Sequence, residues 1–315
     1  MNRPAPLSQL KPLVHRLAVP AQLALAVLVL VLAGMSLRHM AMRLDLHAVL
    51  RDARALPVWR LAAALGFTAA SYLLLTIYDV MALRAIGKPL PWRAAALASF
   101  TSYTLSHNLG FGIITGAAAR LRVYGARGLS TGDVARVTAI AGVTFWSGVL
   151  ASAALALLVH RQPLTVPGHV LSLAMQHAAG AGLLVLLVLA ALLGKRWHLP
   201  GPGGMARMTA AALADISAAC AALFVLLPHA APALYAPLLL AYVLAIVVAL
   251  VSHVPGGLGV FEATVVALCP QAAPGMLLSA LLVYRIVYYL LPLCAALVLL
   301  VHHEHARWKL SLIHI

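Results

Sequence analysis

The chain has 315 residues, of which 63% are hydrophobic and 9% charged, and its formal net charge is +15 at pH 7. Soluble domains carry about 25% charged residues, so this composition excludes an ordinary soluble protein and indicates a chain that uses lipid as its solvent. The apolar stretches are continuous and lack the alternation of barrel strands, which leaves the helix to satisfy the backbone in a bilayer. We therefore predict an all-α integral membrane protein, a polytopic helical bundle.

Membrane spans are predicted where about 20 apolar residues follow one another. Such stretches occur at residues 18–37, 59–83, 134–160, 176–195, 208–227, 233–252 and 275–301. They predict about seven full spans of this length. The basic residues Arg3, Lys11 and Arg16 precede the first stretch, as in a signal peptide, but no convincing cleavage site follows it, so we expect it to be retained as a helix.

Two further apolar stretches, residues 94–119 and 254–270, are interrupted by Gly, Pro, Ser, His and Asn residues. Non-helical backbone at membrane depth is tolerated where it is buried in protein or lines a cavity, so we predict two broken or re-entrant segments. Each stretch, or its immediate start, contains Ser-His-x-x-Gly, at residues 106–110 and 252–256. Paired interruptions of this kind are typical of transporters with internal repeats, and chance similarity is the alternative.

Basic residues cluster at residues 1–19, 84–93, 120–136 and 195–207, so the positive-inside rule predicts a cytoplasmic N-terminus in a multi-pass bacterial inner-membrane protein. The arginine-rich loop at residues 38–60 disagrees with this topology, unless it forms an amphipathic helix on the membrane surface. The basic residues flank membrane spans and no base-stacking platform accompanies them. We therefore expect anionic lipid head groups as partners and no nucleic acid.

Charged residues inside the spans are candidates for lipid binding. Arg285 lies near mid-bilayer, where a charge costs about 2.5 to 3.5 kcal/mol on insertion scales, so it needs a partner or a ligand. An ion pair with Asp215 is one interpretation and lipid binding is the favoured one, whereas Asp79 is expected to pair with Arg84. Tyr288 and Tyr289 are predicted on the face of Arg285, three and four residues further on.

The second interrupted segment predicts a helix N-terminus near Gly259, after Pro255-Gly256-Gly257, whose amides would suit a phosphate. Glu262 either stabilises that first turn or binds the head group. In the same way, Ser130 and Asp133 predict a capping box at the start of a long helix. The complete set of candidate lipid-binding residues is Asp79, His107, Asn108, Arg120, Asp215, Ser252, His253, Gly256, Gly257, Gly259, Glu262, Arg285 and Tyr288.

Other kinds of site have weaker support in the sequence. Cys220, Cys269 and Cys294 lie in or beside apolar segments without C-x-x-C spacing, so neither a disulfide framework nor a zinc site is predicted. The tract at residues 302–305 has metal-ligand side chains at a helix end, but no further ligands accompany it. Motifs of nucleotide binding or catalysis do not occur, and we predict no cofactor, metal or catalytic residue for this segment.

The combination of these motifs resembles the transmembrane flippase domain of the lysylphosphatidylglycerol synthase family, also called multiple peptide resistance factor, of the UPF0104-type superfamily. The resemblance covers nearly the whole chain and rests on Tyr78, Asp79, Leu83, Arg84, Gly87, Ser102, Tyr103, residues 108–110, Gly116, Arg120, Arg122, Tyr124, residues 128–130, Asp215, residues 226–228, residues 252–262, Tyr284, Arg285, residues 288–290 and Pro292. His107 stands where the family has Asn, and Ala117 replaces a common second Gly.

This resemblance implies that residues 1–309 flip lysyl- or alanyl-phosphatidylglycerol from the inner to the outer leaflet, giving resistance to cationic antimicrobial peptides. A full-length family protein adds a cytoplasmic synthase domain, a phosphatidylglycerol lysyltransferase that uses aminoacyl-tRNA. Residues 310–315 do not resemble the family, and we expect a truncated gene model there. In the implied mechanism Arg120 or Arg285 binds the lipid phosphate.

In the same implied mechanism, the ammonium of the aminoacyl group is bound by one of three acids, Asp79, Asp215 or Glu262. Two alternatives stay open. The chain could move another lipid, such as a polyprenyl or hopanoid intermediate, or act as a non-transporting membrane anchor of a fused or separate synthase. A homo-oligomer also stays open.

Overall fold

The computed structural model describes residues 51, 54–109, 112–166, 169–194, 200–228 and 230–301. In these ranges the chain is helical apart from turns, connections and a short antiparallel hairpin of strands β1 (Leu164–Val166) and β2 (His169–Leu171). The helices in chain order are α1 (Val58–Ala85), α2 (Trp92–Leu109), α3 (Gly112–Gly125), α4 (Thr131–Val159), α5 (Leu173–Leu193), α6 (Pro202–Phe224), α7 (Tyr235–Ser252), α8 (Val260–Leu268) and α9 (Pro274–Val301). The predicted all-α fold is confirmed.

Six of these helices are long and apolar enough to cross a membrane. They are α1, α4, α5, α6 and α9, and also α7 when the short 3-10 turn that precedes α7, Pro232–Leu234, is counted with it. Each coincides with a predicted span, and the predicted first span, residues 18–37, lies outside the described residues. With 28 and 29 residues, α1 and α4 are longer than the roughly 20 residues that cross the hydrocarbon core, so they tilt or extend into the head-group layer.

Both interrupted stretches are broken in the structure, as predicted. The first forms α2 and α3, which pack against each other as a helical hairpin. Ser102 Oγ donates to the Gly116 carbonyl over 2.9 Å, and a Cβ added to Gly116 would lie 2.7 Å from Ser106 Oγ, so a side chain there would displace the serine hydroxyls between the two helices. The second forms a 3-10 turn, Pro255–Gly257, and the short helix α8, which packs back on α7.

The centre of the bundle is built from α1, α4 and α6, with α6 packed against both of the others. Gly148 of α4 faces Ala212 of α6 so closely that an added Cβ would overlap the alanine. Small residues of this kind let membrane helices approach and gain van der Waals contact where lipid removes the hydrophobic driving force. The buried hydroxyls of Thr68, Thr76 and Thr144 donate to carbonyls one turn earlier in their own helices, which satisfies them inside the bundle.

The outer face of α5 is apolar and exposed, with Val185, Val188 and Leu192 all more than half exposed. Helix α5 packs mainly on α4 and leaves this face without protein contacts among the described residues. An apolar face of this size is typical of a helix that contacts lipid tails.

The predicted capping box at the start of α4 is confirmed. Ser130 N–H donates to Asp133 Oδ2 over 2.9 Å, and Asp133 N–H donates to Ser130 Oγ over 3.2 Å. Lys88 adds an ion pair to the same carboxylate over 2.6 Å. Asp133 therefore has a structural role at the end of the bundle where α1 ends and α4 begins.

Candidate lipid-binding site

A buried ion pair joins Asp79 of α1 to Arg120 of α3. Arg120 donates from Nε and Nη2 to the two carboxylate oxygens over 2.9 and 2.8 Å, and Tyr124 Oη donates to the same carboxylate over 2.6 Å. The guanidinium also lies over the Tyr103 ring, 4.8 Å from its centroid. The expected pair of Asp79 with Arg84 is therefore wrong: the two residues are five apart and point about 140° away from each other around α1.

A second buried ion pair holds the turn before α8. Arg285 donates from Nε to Glu262 Oε1 over 2.6 Å, and its other nitrogens donate to the carbonyls of Gly256 and Gly257. Both glycines have left-handed backbone, with φ of 62° and 60°, a conformation that is free of steric cost only for glycine. Glu262 Oε2 accepts the Gly259 amide over 2.8 Å, so one carboxylate both caps α8 and neutralises the arginine.

The carboxylate of Asp215, on α6, has hydroxyl groups as its partners. Ser71 Oγ donates to Oδ1, and Tyr78 Oη donates to Oδ2 over 2.8 Å. Ser71 Oγ also lies 2.8 Å from Tyr288 Oη, which extends the hydrogen-bonded chain into α9. The alternative interpretation of an ion pair between Arg285 and Asp215 is wrong, because Arg285 is directed at the glycine turn and Glu262 instead.

Asp215 differs from the other acids in the described part of the chain, because those acids have a neighbouring cation. Asp79, Asp133 and Glu262 each have a cation within ion-pair distance. Asp215 is 4% exposed and has none among the described residues. A buried carboxylate without a cation is costly at membrane depth, so its position marks a candidate site for a ligand.

Asp215 lines a cavity of about 140 Å³ inside the bundle. The wall is shared by both interrupted segments, through His107 of α2 and through Gly256 and Gly257 of the glycine turn, and by Tyr288 of α9. The Nδ1 atom of His107 is buried and has no hydrogen-bond partner among the described residues. The cavity therefore combines an uncompensated carboxylate, an unpartnered imidazole nitrogen and aromatic rings.

Helix α9 widens into a π turn, Arg285–Leu290, beside this cavity. The prediction that both tyrosines share the face of Arg285 is confirmed for Tyr289, whose ring centroid lies 4.6 Å from the guanidinium carbon. Tyr288 instead points toward α1, where its hydroxyl meets Ser71. Its carbonyl accepts Tyr72 Oη over 3.2 Å. π turns are frequent at functional sites. This one directs Tyr289 to the Arg285–Glu262 ion pair and Tyr288 to the Ser71 hydroxyl that binds Asp215.

Comparison with known proteins identifies the family. No protein-family model matches the chain. It is 31% identical over 270 residues to the uncharacterized protein slr0712 of Synechocystis, a match that covers 79% of this chain and 83% of that protein. It is also 26% identical over 254 residues to the inner membrane protein YbhN of Escherichia coli, which covers 76% and 78% of the two chains. The chain belongs to the UPF0104 family.

As a UPF0104 protein, the chain is a multi-pass inner-membrane protein. Membership confirms the superfamily to which the sequence resemblance points. The narrower assignment to the lysylphosphatidylglycerol synthase branch, and the cytoplasmic position of the N-terminus, stay predictions.

The structure divides the predicted site residues of this UPF0104 protein into two groups. Those that line the cavity are His107, Asp215, His253, Gly256, Gly257 and Tyr288. Those outside its wall are Asp79, Asn108, Arg120, Ser252, Gly259, Glu262 and Arg285. Asn108 donates to the Thr104 carbonyl over 2.8 Å and to the Tyr289 carbonyl of α9 over 3.4 Å, and Ser252 Oγ donates to the Ala249 carbonyl over 2.8 Å, so backbone carbonyls accept from both side chains.

The two Ser-His-x-x-Gly sequences bring their histidines to the same cavity in different backbone conformations. His107 is helical, within α2, whereas His253 follows α7 with a left-handed φ of 54°. The two segments are therefore alike in location and different in local geometry.

Sequence reasoning singled out Tyr288 and Tyr289 but did not expect that the other tyrosines join them in one cluster near the cavity and the buried charges. All the tyrosines of the chain except Tyr235 take part in hydrogen bonds or ring contacts with one another, with His107, or with the buried charges. Ser71, Tyr72 and Tyr78 lie toward one side of α1 within two helical turns. This spacing of polar residues in an apolar span is the sequence pattern that could have predicted their part of the cluster. Tyrosine supplies a hydroxyl at low desolvation cost, which suits a polar site inside a membrane.

Proposed function

We propose that this UPF0104 protein translocates an aminoacylated phosphatidylglycerol, such as lysyl- or alanyl-phosphatidylglycerol, from the inner to the outer leaflet of the bacterial cytoplasmic membrane. The observation that supports this most is the carboxylate of Asp215, buried on the wall of an internal cavity without a cation partner among the described residues. The aminoacyl group of such a lipid carries an ammonium, which is the complement that this carboxylate lacks.

The electrostatics favour a head group that carries an ammonium over one that lacks it. In a low-dielectric interior, an ammonium near Asp215 would offset much of the free energy needed to bury the carboxylate. The rings of Tyr288 and Tyr289 face the same space and can stabilise a cation through their π electrons, while His107 Nδ1 can accept a hydrogen bond if it is unprotonated. An anion in this cavity would instead be repelled by Asp215.

The size of the cavity limits what can enter it in this conformation. Its volume of about 140 Å³ is below the roughly 300 Å³ at which pockets for whole small-molecule ligands begin. It can hold the amino-acid part of a head group, with the acyl chains left in the surrounding lipid. This arrangement supports the movement of a head group through the bundle while the tails stay in the bilayer.

Asp215 is the acid that we assign to the ammonium, because Asp79 and Glu262 are already neutralised by arginines. Arg120 and Arg285 in turn are engaged by those carboxylates, so lipid phosphate could reach either one only by displacing an acid. In this proposal the two pairs hold the α2–α3 hairpin and the glycine turn in place around the cavity.

Surface exposure of the lipid in intact cells tests the proposal. Cells that make an aminoacylated phosphatidylglycerol would be labelled with an amine-reactive reagent that does not cross the membrane, with the chain absent, intact or carrying Asp215→Asn. We expect labelling to require the chain and to fall in the variant at equal protein level. Asp133→Asn is the matched control, since this acid caps α4 and does not line the cavity.

Two results would contradict the proposal. Equal labelling with and without the chain would favour the anchor function or another lipid. Labelling that depends on the chain but is unchanged by Asp215→Asn would keep translocation and remove Asp215 from it.

A further inference from the structure

A second cavity, of about 300 Å³, lies at one end of the bundle, where α1 begins, α6 ends and α9 begins. Apolar side chains form most of its wall, including Leu56, Pro57, Leu226, Met276 and Val283. It shares no lining residue with the cavity at Asp215. Any role of this second cavity is therefore separable from the site described above.

Arg60 is the charged residue in the wall of this cavity. One of its terminal nitrogens donates to the carbonyl of Leu227, just beyond the end of α6, and its Nε is buried without a hydrogen-bond partner among the described residues. Within the described part of the chain no carboxylate lies within ion-pair distance of Arg60, in contrast to Lys88, Arg120 and Arg285. The cavity thus presents a guanidinium whose charge is not neutralised by these residues.

The position of Arg60 matches the level of lipid phosphates. It is the third residue of α1, a helix longer than the hydrocarbon core is thick, so it lies near the membrane surface. Trp59 lies beside it, with the ring centroid 5.2 Å from the guanidinium carbon, and tryptophan is typical of the interfacial layer. A guanidinium binds phosphate through two parallel hydrogen bonds, for which its donors are already spaced.

We propose that this cavity binds one anionic glycerophospholipid, with its phosphate on Arg60 and the first part of an acyl chain against the apolar wall. The apolar wall favours a lipid over free phosphate, because an inorganic ion would leave that surface uncovered. The anionic charge complements Arg60. This site does not depend on translocation through the Asp215 cavity, and it would serve as a stationary lipid site at the edge of the bundle.

Quenching of Trp59 by a brominated lipid tests the proposal directly. The purified full chain in detergent would be titrated with brominated phosphatidylglycerol and, separately, with brominated phosphatidylcholine. We expect saturable quenching at lower concentration of the anionic lipid, and Arg60→Gln should weaken its binding by about tenfold or more, as expected for loss of a charge-assisted hydrogen bond. Trp59→Phe should remove the saturable signal.

The controls separate a built site from general surface charge. Arg54→Gln removes an exposed arginine that does not line the cavity, and should leave the titration unchanged. Arg60→Lys keeps the charge and should retain part of the affinity, with an unfolding temperature near that of the wild type. Equal weakening by Arg54→Gln, equal affinity for both lipids, or full displacement by inorganic phosphate would each overturn the proposal.

Discussion

The buried acids of this protein have different partners, and the difference determines what each can do. Asp79 and Glu262 are bound by guanidinium groups, whereas Asp215 is bound by the hydroxyls of Ser71 and Tyr78. Breaking a buried pair leaves a charge without compensation, which is far more costly than replacing both partners. The paired acids therefore stabilise the fold, and Asp215 is the acid that we propose to meet a ligand.

The Asp79–Arg120 pair should be a large contribution to stability. We expect Arg120→Gln to lower the free energy of unfolding by about 3 to 5 kcal/mol, because Asp79 is fully buried and loses its cation. Thermal or denaturant unfolding in detergent, followed by tryptophan fluorescence, measures this effect. Arg136→Gln is the matched control on an exposed position of α4, with an expected change within about 0.5 kcal/mol.

The double variant Asp79→Asn with Arg120→Gln should lose less than the sum of the two single variants, since neither charge is left alone. Additive losses would show that the pair does not couple, and would contradict this role.

Individual residues of the site were predictable from the sequence, but their partners were not. A charge in the middle of an apolar span needs compensation, which singled out Asp215 and Arg285 correctly as buried, whereas Asp79, expected to pair with Arg84, is also fully buried. The partners depend on which helices are neighbours. Arg285 meets Glu262 because the glycine turn brings α8 back against it, and nothing in the residue spacing shows this. The error for Asp79 was avoidable, since a spacing of five is not a helical pair.

At the scale of the helices, close packing depends on a few small residues. At Gly148 an added Cβ would overlap the Cβ of Ala212 and lie 2.9 Å from its carbonyl carbon. Backbone atoms cannot be relieved by a rotamer change, so α4 and α6 would have to separate. The same two helices hold Asp215 and part of the cavity wall, through Phe145 and Ile216.

Gly148→Ala should therefore destabilise the bundle, by about 1 to 3 kcal/mol for an overpacked core. Gly142→Ala is the matched control in the same helix, because an added Cβ there has no neighbour within 4 Å. It should be neutral or stabilising by up to about 1 kcal/mol, since alanine favours helix. Unfolding of both variants in one detergent provides the comparison, and equal stability of the two would contradict the close approach of α4 and α6.

The helices themselves were largely predictable, because long apolar stretches dictate membrane spans. The breaks were predictable too, since Pro255 lacks the amide of a helical hydrogen bond and the two glycines after it have low helix propensity. The π turn in α9 was predictable in part. Pro292 lacks the amide that would bind the carbonyl of Tyr288, which loosens the helix there, but the contacts of Tyr288 with Ser71 and Tyr72 depend on the packing of α1 against α9. This is why half of the tyrosine prediction failed.

At the scale of the molecule, this is a multi-pass UPF0104 protein whose described residues form a cavity at Asp215 and another at Arg60, which differ in charge and place. The internal one presents a carboxylate, and the one at the end of the bundle presents a guanidinium. Composition and charge indicated a membrane protein with lipid partners, but the sequence alone did not locate either cavity. Cavities form between helices that are distant in the chain, so their position depends on packing that local patterns do not encode.

Preference for a head group that carries an ammonium is the property that Asp215 should give to the cavity, and lipid binding measures it most directly. Native mass spectrometry of the purified chain would compare alanyl-phosphatidylglycerol with its N-acetylated form, which lacks the ammonium. We expect the wild type to retain the ammonium-bearing lipid at least about tenfold better, as for a charge-assisted interaction at a buried site, and Asp215→Asn to retain both alike. An unchanged preference in Asp215→Asn, with Asp133→Asn as control, would contradict the assignment of this carboxylate to the head group.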